Sequence, residues 1–354
     1  MEAAVTPAPA TMRAIVLDGP GAPAGLQARR APSPQAGPDE AVVEVIAAAV
    51  NRSDLLNVIG LPITTYPRVP GRDFCGTVVE GPAELIGTIC WGTGSGDLGF
   101  GRDGSHAERL VVPVAALVPR PAAWTAVEAG AAGLSYLVSA DGLDRAGLAS
   151  AGPAAAAGRE DPIAPTVLVT GAAGGVGSAA SALARWRGAR LVAAVADEIE
   201  RDAVLAAHPE AVVAVAGTDD LPKVVGAATD GRGAEIVFDT VGNAVFADCV
   251  ASLADGGRMV VITAIPGAEA PLDLFGFYRR SATLTTANST RRDSAWAGET
   301  LRGLLPGFES GELPPPVVAE EFALEDCVDA YRAVQEGRRG RVLLRCADEK
   351  GSGR

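Results

Sequence analysis

The sequence predicts an α/β protein in two parts, a doubly wound parallel sheet inserted into a β-rich domain. Three observations carry this prediction. At 354 residues with 48% hydrophobic content, the chain is long enough to build two separate cores. Between Arg13 and about Pro121 short β-prone runs are broken by Gly and Pro, whereas from Thr166 strand-like runs alternate with helix-like ones. A glycine-rich bend, VLVTGAAGGVG over Val167–Gly177, stands at the first of those strand-to-helix junctions.

In chain order, the Ala/Pro-rich residues 1–11 are expected to be a disordered tail, with the folded part starting at Met12. The runs AIVL, EAVVEVIAAAV, CGTVVE and HAERLVVP read as strands of an irregular barrel or sandwich. TAVEAGAAGLSYLVSADGL has helical spacing, and LASAGPAAAAGREDPIAP reads as an exposed excursion. Six strands then follow with crossovers: TVLVTG, RLVAAVA, AVVAVAG, EIVFDTV, GRMVVITA and ATLTTAN. Such a set matches a doubly wound sheet. Two helices, SAWAGETLRGLLPGFESG and LEDCVDAYRAVQEG, and a closing strand RVLLR return the chain to the first domain. Residues 346–354 read as a second disordered tail.

Composition excludes several classes. A formal charge of −13 argues against a nucleic-acid partner, because phosphate binding needs a surplus of Lys and Arg. The five cysteines are dispersed with no C-x-x-C pair, so neither a disulfide framework nor a structural zinc site is expected. No apolar stretch is long enough for a membrane span and the N-terminus lacks a signal-peptide core, so the expectation is a cytoplasmic protein without a membrane partner.

The chemistry concentrates at the bend. After a buried strand come Ala172, Ala173, Gly174, Gly175, Val176 and Gly177, and then the helix SAASALARWRG. A missing Cβ lets backbone N–H groups approach a pyrophosphate, which then sits at the positive end of the helix. At the end of the next strand Asp197 can hydrogen-bond the adenosine ribose, which favours NAD, or it can cap the helix EIERDAVLAAH. Arg201, one turn on, is placed to accept a 2′-phosphate, so NADH against NADPH stays unresolved. Asp239, Val241 and Gly242 close the fourth strand, where backbone contacts to a cofactor are expected, and Thr263 and Ala264 end the fifth, beside the nicotinamide.

Taken in order, AAAVNRSDLLNVIG, YPRVPGRDFCGTVVEG, GSHAERLVVP, AAGLSYLVSADGL, VLVTGAAGGVGSAA, FDTVG and GRVLLR resemble the zinc-independent quinone oxidoreductase branch of the medium-chain dehydrogenase/reductase family, from Met12 to Arg345. The resemblance implies a GroES-like catalytic domain at 12–135 and 289–345, a Rossmann domain at 136–288, and a homodimer. It also implies hydride transfer from NAD(P)H to a small-molecule quinone or α,β-unsaturated carbonyl. Where zinc-dependent relatives carry their Cys and His-Glu ligands, this chain has Asn51 and Gly71-Arg72-Asp73, so no metal is expected. Where NADPH-using relatives carry Lys and Tyr, it has Glu200 and Ala216.

By the same resemblance Ser135 lies on the nicotinamide side, its other reading being a helix hydroxyl bonded to backbone. Asn51 is expected to hydrogen-bond the substrate oxygen or the nicotinamide ribose, or else to cap the helix after it. Tyr66 is the candidate general acid, because related enoyl reductases carry a Tyr after the Gly matching Gly60, where Leu61-Pro62 stands here. Arg72 either stabilises an anionic ligand or pairs with Asp73 or Asp54. Trp91, Phe100, Phe275, Phe277 and Tyr278 form an aromatic pocket or pack in the core or a dimer. The bend also fits a short-chain dehydrogenase, yet the residues four after Tyr66, Tyr136, Tyr278 and Tyr331 are Pro70, Ala140, Ala282 and Gln335, so the required Tyr-x-x-x-Lys is absent. A second reading is a non-catalytic sensor or scaffold that binds the nucleotide without turnover.

Overall fold

The computed structural model describes residues 10–61, 63–148, 164–264 and 267–347. They fall into two compact units. The first takes its described residues from Met1–Leu134, Thr290–Leu305 and Pro315–Arg354, and the second from Ser135–Ser289 and Pro306–Pro314.

In the first unit β1 (Thr11–Ile15) and β2 (Ala28–Pro32) form an antiparallel pair. A larger sheet follows from β3 (Glu40–Val50), β4 (Asp73–Glu80), β5 (Ile89–Thr93), β6 (Arg109–Pro113) and β7 (Val118–Pro119). β3 is its axis: it pairs antiparallel with β4 and with β6, and its last residues pair with the closing strand Arg341–Arg345. Nine of its eleven residues are buried, and Val43, Val45 and Ala48 share one core with Phe74, Val78 and Leu110 of the neighbouring strands and with Cys327, Ala330 and Tyr331 of the helix Cys327–Gln335.

The second unit is a six-stranded parallel sheet built from β8 (Thr166–Thr170), β9 (Arg190–Val195), β10 (Val212–Val215), β11 (Ala234–Asp239), β12 (Leu253–Val261) and β13 (Thr283–Thr286). Its order is β10-β9-β8-β11-β12-β13, so the topology switches direction between β8 and β11. β8 is buried at all five positions, as a central strand covered on both faces must be. Close packing is set by Gly142 in the helix Ala126–Arg145: a Cβ there would lie 2.4 Å from the Phe238 ring.

All six parallel strands therefore stand where the alternation placed them. Several boundaries differ. Thr11 opens β1 and pairs with Pro32, so it belongs to the fold and not to the expected N-terminal tail. Cys346 is 2% exposed and its N–H donates to Ile46 O at 3.1 Å, so it belongs to the fold and not to the expected C-terminal tail. Pro306–Pro314 belongs to the second unit rather than the first, because Phe308 packs edge-on to Tyr136 and the Tyr136 hydroxyl donates to Pro314 O at 2.6 Å. Four strands went unread: β2 (ARRAP), β5 (ICWGT), β7 (VP) and β14 (Val318–Ala323), the last pairing with β15 (Arg341–Arg345), which is the expected closing strand. The expected excursion at 148–165 falls largely outside the described residues. Among the described residues no helix is long and apolar enough to cross a membrane.

Candidate active site

At the carboxyl end of β8 the chain turns through Gly171, whose φ of +57° is the left-handed region that glycine adopts at least cost. Gly174 N–H closes the turn on Gly171 O at 2.9 Å, and the helix Gly175–Trp186 begins with Gly174 as its N-cap. Gly177 sits directly against the bend. A Cβ there would lie 2.1 Å from Gly171 O and 2.9 Å from Ala172 Cα, so only glycine lets the helix start this close to the strand. The consequence is a tight turn that leads into a helix N-terminus, where first-turn N–H groups have no intrahelical acceptor and the dipole favours an anion.

Neighbouring strand ends converge on the same place. Ala172 N–H donates to Ala194 O near the end of β9 at 3.1 Å. A Cβ on Gly171 would meet Thr240 Oγ1 at 2.5 Å, and one on Gly242 would meet Thr263 O at 2.8 Å. The bend, Val241, Gly242, Thr263 and Ala264 thus gather at the carboxyl ends of β8, β11 and β12, and the last two are exposed. Asp239 serves its own turn through one oxygen, and the other, Oδ2, is buried without a hydrogen-bond partner among the described residues. It is fully buried, and its Oδ1 accepts from Thr170 Oγ1 at 2.7 Å and from the Val241 and Gly242 N–H groups, both at 3.0 Å. It shapes the turn and commits both of those N–H groups.

Asp197, two residues after β9, is the N-cap of the helix Glu198–Ala207, its side chain accepting from Glu200 N at 3.1 Å. The capping role is therefore occupied, and Arg201 lies 3.5 Å from Glu198. Ser135 is buried, and its Oγ makes no hydrogen bond among the described residues. The backbone-bonded reading of that hydroxyl is not realised, and an unsatisfied buried hydroxyl is a group waiting for a partner.

In the first unit the surroundings of Asn51 are ionic. Asn51 precedes the helix Arg52–Ile59, and its N–H donates to Asp54 Oδ2 at 2.7 Å in a capping-box arrangement. Its side chain donates from Nδ2 to Asp73 Oδ2 at 3.1 Å and accepts at Oδ1 from Arg341 Nη2 at 2.7 Å. Arg341 also lies 3.2 Å from Asp73 Oδ2 and donates from Nε to Ala131 O at 3.0 Å. Asp73 Oδ1 accepts the Leu134 N–H at 2.7 Å. Arg72 is buried, donates to Gly94 O and Ser95 O at 2.8 and 3.2 Å, and stacks over Phe100 at 5.4 Å. Asp54 and Asp73 both favour its charge against the cost of burial. Two carboxylates and two guanidinium groups thus occupy the region where the sequence departs from metal ligands. Cationic and amide groups do not fit a zinc ion. Among the described residues no group of three or more His, Cys, Asp or Glu side chains is arranged to hold a metal.

Tyr66 lies nearby, with its hydroxyl donating to Asn57 O at 3.1 Å. Trp91 and Phe100 are core residues, whereas Phe275 and Tyr278 are each 73% exposed. Arg341 escaped the sequence reading altogether, since nothing local links it to Asn51, 290 residues away. Asp54 had a usable signal in its capping-box spacing from Asn51.

Two buried groups give this region opposing pH dependences. Burial pushes the Asp54 carboxyl up to about 6, partly offset by the Asn51 N–H and by Arg72 and Arg341. Burial likewise lowers His106 to about 4. His106 is held between Tyr331 Oη at 2.8 Å and Ala49 O at 3.1 Å. Because a carbonyl only accepts, Nε2 carries the proton and Nδ1 accepts from the phenol. The folded state keeps the Asp54 proton up to about pH 6, whereas the unfolded chain releases it near 3.8, so this group lowers stability as pH rises through that window. His106 acts the other way: the unfolded chain gains a proton below 6.5 and the folded one only below about 4, so stability falls on acidification. Asp54→Asn removes the first effect and leaves the second. Its Tm is expected to fall more steeply than that of the parent between pH 6 and 4, and parallel profiles in thermal unfolding would contradict the assignment.

The comparisons agree with this architecture. Residues 37–122 match the alcohol dehydrogenase GroES-like domain, and residues 175–302 match the zinc-binding dehydrogenase domain. A zinc-type alcohol dehydrogenase-like protein of Schizosaccharomyces pombe is 30% identical over 314 residues, 87% of this chain and 88% of that protein. The chain belongs to the medium-chain dehydrogenase/reductase family. Another member, the acryloyl-coenzyme A reductase of Sulfurisphaera tokodaii, is 27% identical and matches over 94% of this chain and its own full length. A crystal structure of an NAD-dependent alcohol dehydrogenase is similar at a TM-score of 0.80 and 28% identity, covering 95% of this chain and 100% of that one. The first unit is accordingly the GroES-like domain and the second the Rossmann domain of a medium-chain oxidoreductase acting on small molecules with a nicotinamide cofactor. The cradle at Gly171–Gly177 and the unsatisfied Ser135 hydroxyl fit that cofactor.

Proposed function

We propose that this protein is a reductase that moves hydride from NAD(P)H to a quinone or an α,β-unsaturated carbonyl compound without a metal. The reading rests on one observation above others, the contact of Gly177 with Gly171 O that brings a helix N-terminus onto the end of β8. Its enone part draws support from the acryloyl-coenzyme A reductase matched over its full length, and its quinone part from the motif order described above. The absence of metal is supported by Arg72 and Arg341, whose positive charges oppose a divalent cation beside Asn51 and Asp73.

When bound, the nicotinamide supplies the hydride. The residues of this chain then hold the dinucleotide through Ala172, Gly174, Gly175, Val176 and Gly177, orient the nicotinamide through Ser135, Thr263 and Ala264, and offer an amide N–H from Asn51 to the oxygen that becomes anionic as hydride adds. Asp197 faces the ribose only if its capping bond to Glu200 is shared, and Arg201 is the nearest cation for a 2′-phosphate, so both NADH and NADPH are candidate donors. Tyr66, as proton donor to the adjacent carbon, must turn its O–H away from Asn57 O. That commitment is the observation favouring the second reading, a nucleotide-binding protein without turnover.

A homodimer is part of the proposal. β13 ends the six-stranded sheet, and Leu274, Phe275, Tyr278 and Leu284 beside that edge are 70%, 73%, 73% and 43% exposed. An unpaired strand edge flanked by exposed apolar side chains is a template for a second copy.

Titration with NADH and NADPH, followed by a panel of quinones and enones in chelator-treated buffer, tests the reading. Saturable oxidation of at least one nucleotide by one acceptor is expected, from a particle of twice 35.7 kDa in sedimentation. Binding without turnover favours the sensor, and binding of neither nucleotide contradicts both readings.

A further inference from the structure

At the carboxyl end of β9 one carboxylate is held in a fixed place. Glu200 accepts the Ala196 N–H through Oε2 at 2.9 Å, while its own N–H donates to Asp197 Oδ1 at 3.1 Å. Each acid thus steadies the other, and Asp197 spends Oδ1 on the helix cap. Ala196 lies two residues beyond Ala194, whose carbonyl accepts the Ala172 N–H of the glycine bend. At the rise of a strand, the backbone group that anchors Glu200 therefore stands about 7 Å from the strand residue that holds the bend. In a doubly wound sheet the end of the strand after the glycine bend is where the adenosine ribose of a dinucleotide lies.

The surroundings add to the negative charge. Ala216 N–H donates to Val195 O at 2.9 Å, which sets the end of β10 beside the end of β9, and Asp219 is fixed there on the Val215 N–H at 2.8 Å. The segments 196–202 and 216–223 together carry six carboxylates and two cations. Each cation already faces a carboxylate three residues before it: Arg201 lies 3.5 Å from Glu198, and Lys223 lies 2.6 Å from Asp220. A 2′-phosphate carries about −1.5 to −2 at pH 7 and needs a cation whose charge is not already matched, whereas a ribose 2′-hydroxyl is neutral and donates to a carboxylate.

We propose that Glu200 is the specificity-determining residue of the nucleotide site: its carboxylate admits the 2′-hydroxyl of NADH and repels the 2′-phosphate of NADPH, so that NADH is the hydride donor. This deepens the reading given above and rests on it for the presence of a nicotinamide nucleotide. Glu200 holds this role because its Oε1 accepts no hydrogen bond among the described residues and its side chain is only half-buried, within reach of a ligand. A charge so placed acts through solvent as well as directly, so the discrimination it gives weakens as salt is added.

Fluorescence titration of the full-length protein with NADH and with NADPH tests this without any acceptor. At low ionic strength the parent is expected to bind NADH at least about 30-fold more tightly than NADPH. In Glu200→Gln, whose amide oxygen still accepts the Ala196 N–H, that ratio is expected to fall at least about fivefold through tighter NADPH binding, with NADH affinity changed less than about threefold. Glu200→Arg is expected to bind NADPH at least as tightly as NADH. Salt near about 0.5 M should narrow the ratio of the parent more than that of Glu200→Gln. A merely structural role would weaken both nucleotides together in the two variants, and that result overturns the assignment. Parent affinities within about twofold of each other, or NADPH the tighter, overturn it as well, as does a ratio that Glu200→Gln leaves unchanged. Binding of neither nucleotide is a different failure, because it removes the nucleotide site itself and this inference with it.

Discussion

Gly177→Ala is expected to weaken nicotinamide nucleotide binding at least about 100-fold, roughly 2.8 kcal/mol at 1.4 kcal/mol per tenfold. The added Cβ would sit 2.1 Å from Gly171 O, 2.7 Å from Gly171 C and 2.9 Å from Ala172 Cα. All three are backbone atoms, so no rotamer change relieves the overlap, and the helix start must move away from the strand end. That movement carries the first-turn N–H groups off the position that a pyrophosphate needs. Gly174→Ala is the control. Its Cβ would approach nothing closer than Gly171 O at 3.2 Å, and its φ of −73° suits any residue. Titration followed by nucleotide fluorescence should therefore separate the two variants clearly. Equal affinity in Gly177→Ala and the parent would remove the bend from the site.

Asp73→Leu is expected to destabilise the GroES-like domain by about 3–5 kcal/mol, the usual result of removing one member of a buried ion pair. Asp73 is fully buried and accepts from Asn51 and Leu134 as well as pairing with Arg341. Without it the buried Arg341 guanidinium keeps only neutral acceptors, Asn51 Oδ1 and Ala131 O, and its charge retains its desolvation penalty with no carboxylate against it. The effect belongs to the orphaned partner more than to the lost attraction, so the double variant Asp73→Leu/Arg341→Leu is expected to recover part of the loss. Urea unfolding of the three proteins measures this. A double variant less stable than Asp73→Leu alone would show that Arg341 has a separate structural role.

Much of the fold was legible because its signals are local. The parallel sheet announces itself as apolar runs of five or six residues separated by helical periodicity, and Gly171–Gly177 combines a positive φ with a close approach that only glycine permits. Two of the unread strands, β2 and β14, have the opposite character. β2 is ARRAP, exposed or half-exposed throughout, and β14 is VAEEFA, alternating half-exposed and exposed, so neither carries an apolar pattern strong enough to see. Their pairing is decided by partners far along the chain. The site divides along the same line. Asn51, Asp54 and the bend lie in contiguous motifs, but Arg341 reaches Asn51 and Asp73 only through the β15–β3 pairing, which no local pattern encodes. Asp239 reads from the sequence as a cofactor contact, and in the structure its Oδ1 serves the N–H groups of its own turn, a role that only hydrogen-bond geometry reveals.

The account stands on hydride passing directly from the nucleotide to an organic acceptor in a protein with no metal at its centre. The most direct measurement uses chelator-treated, full-length protein with nicotinamide nucleotide deuterated at the transferring position of C4, and mass spectrometry of the reduced acceptor. One deuterium is expected at carbon in an enone product, or a primary isotope effect on the oxidation rate with a quinone. Reduction that begins only when zinc is added back, or that proceeds with no isotope effect and no label in the product, would contradict it.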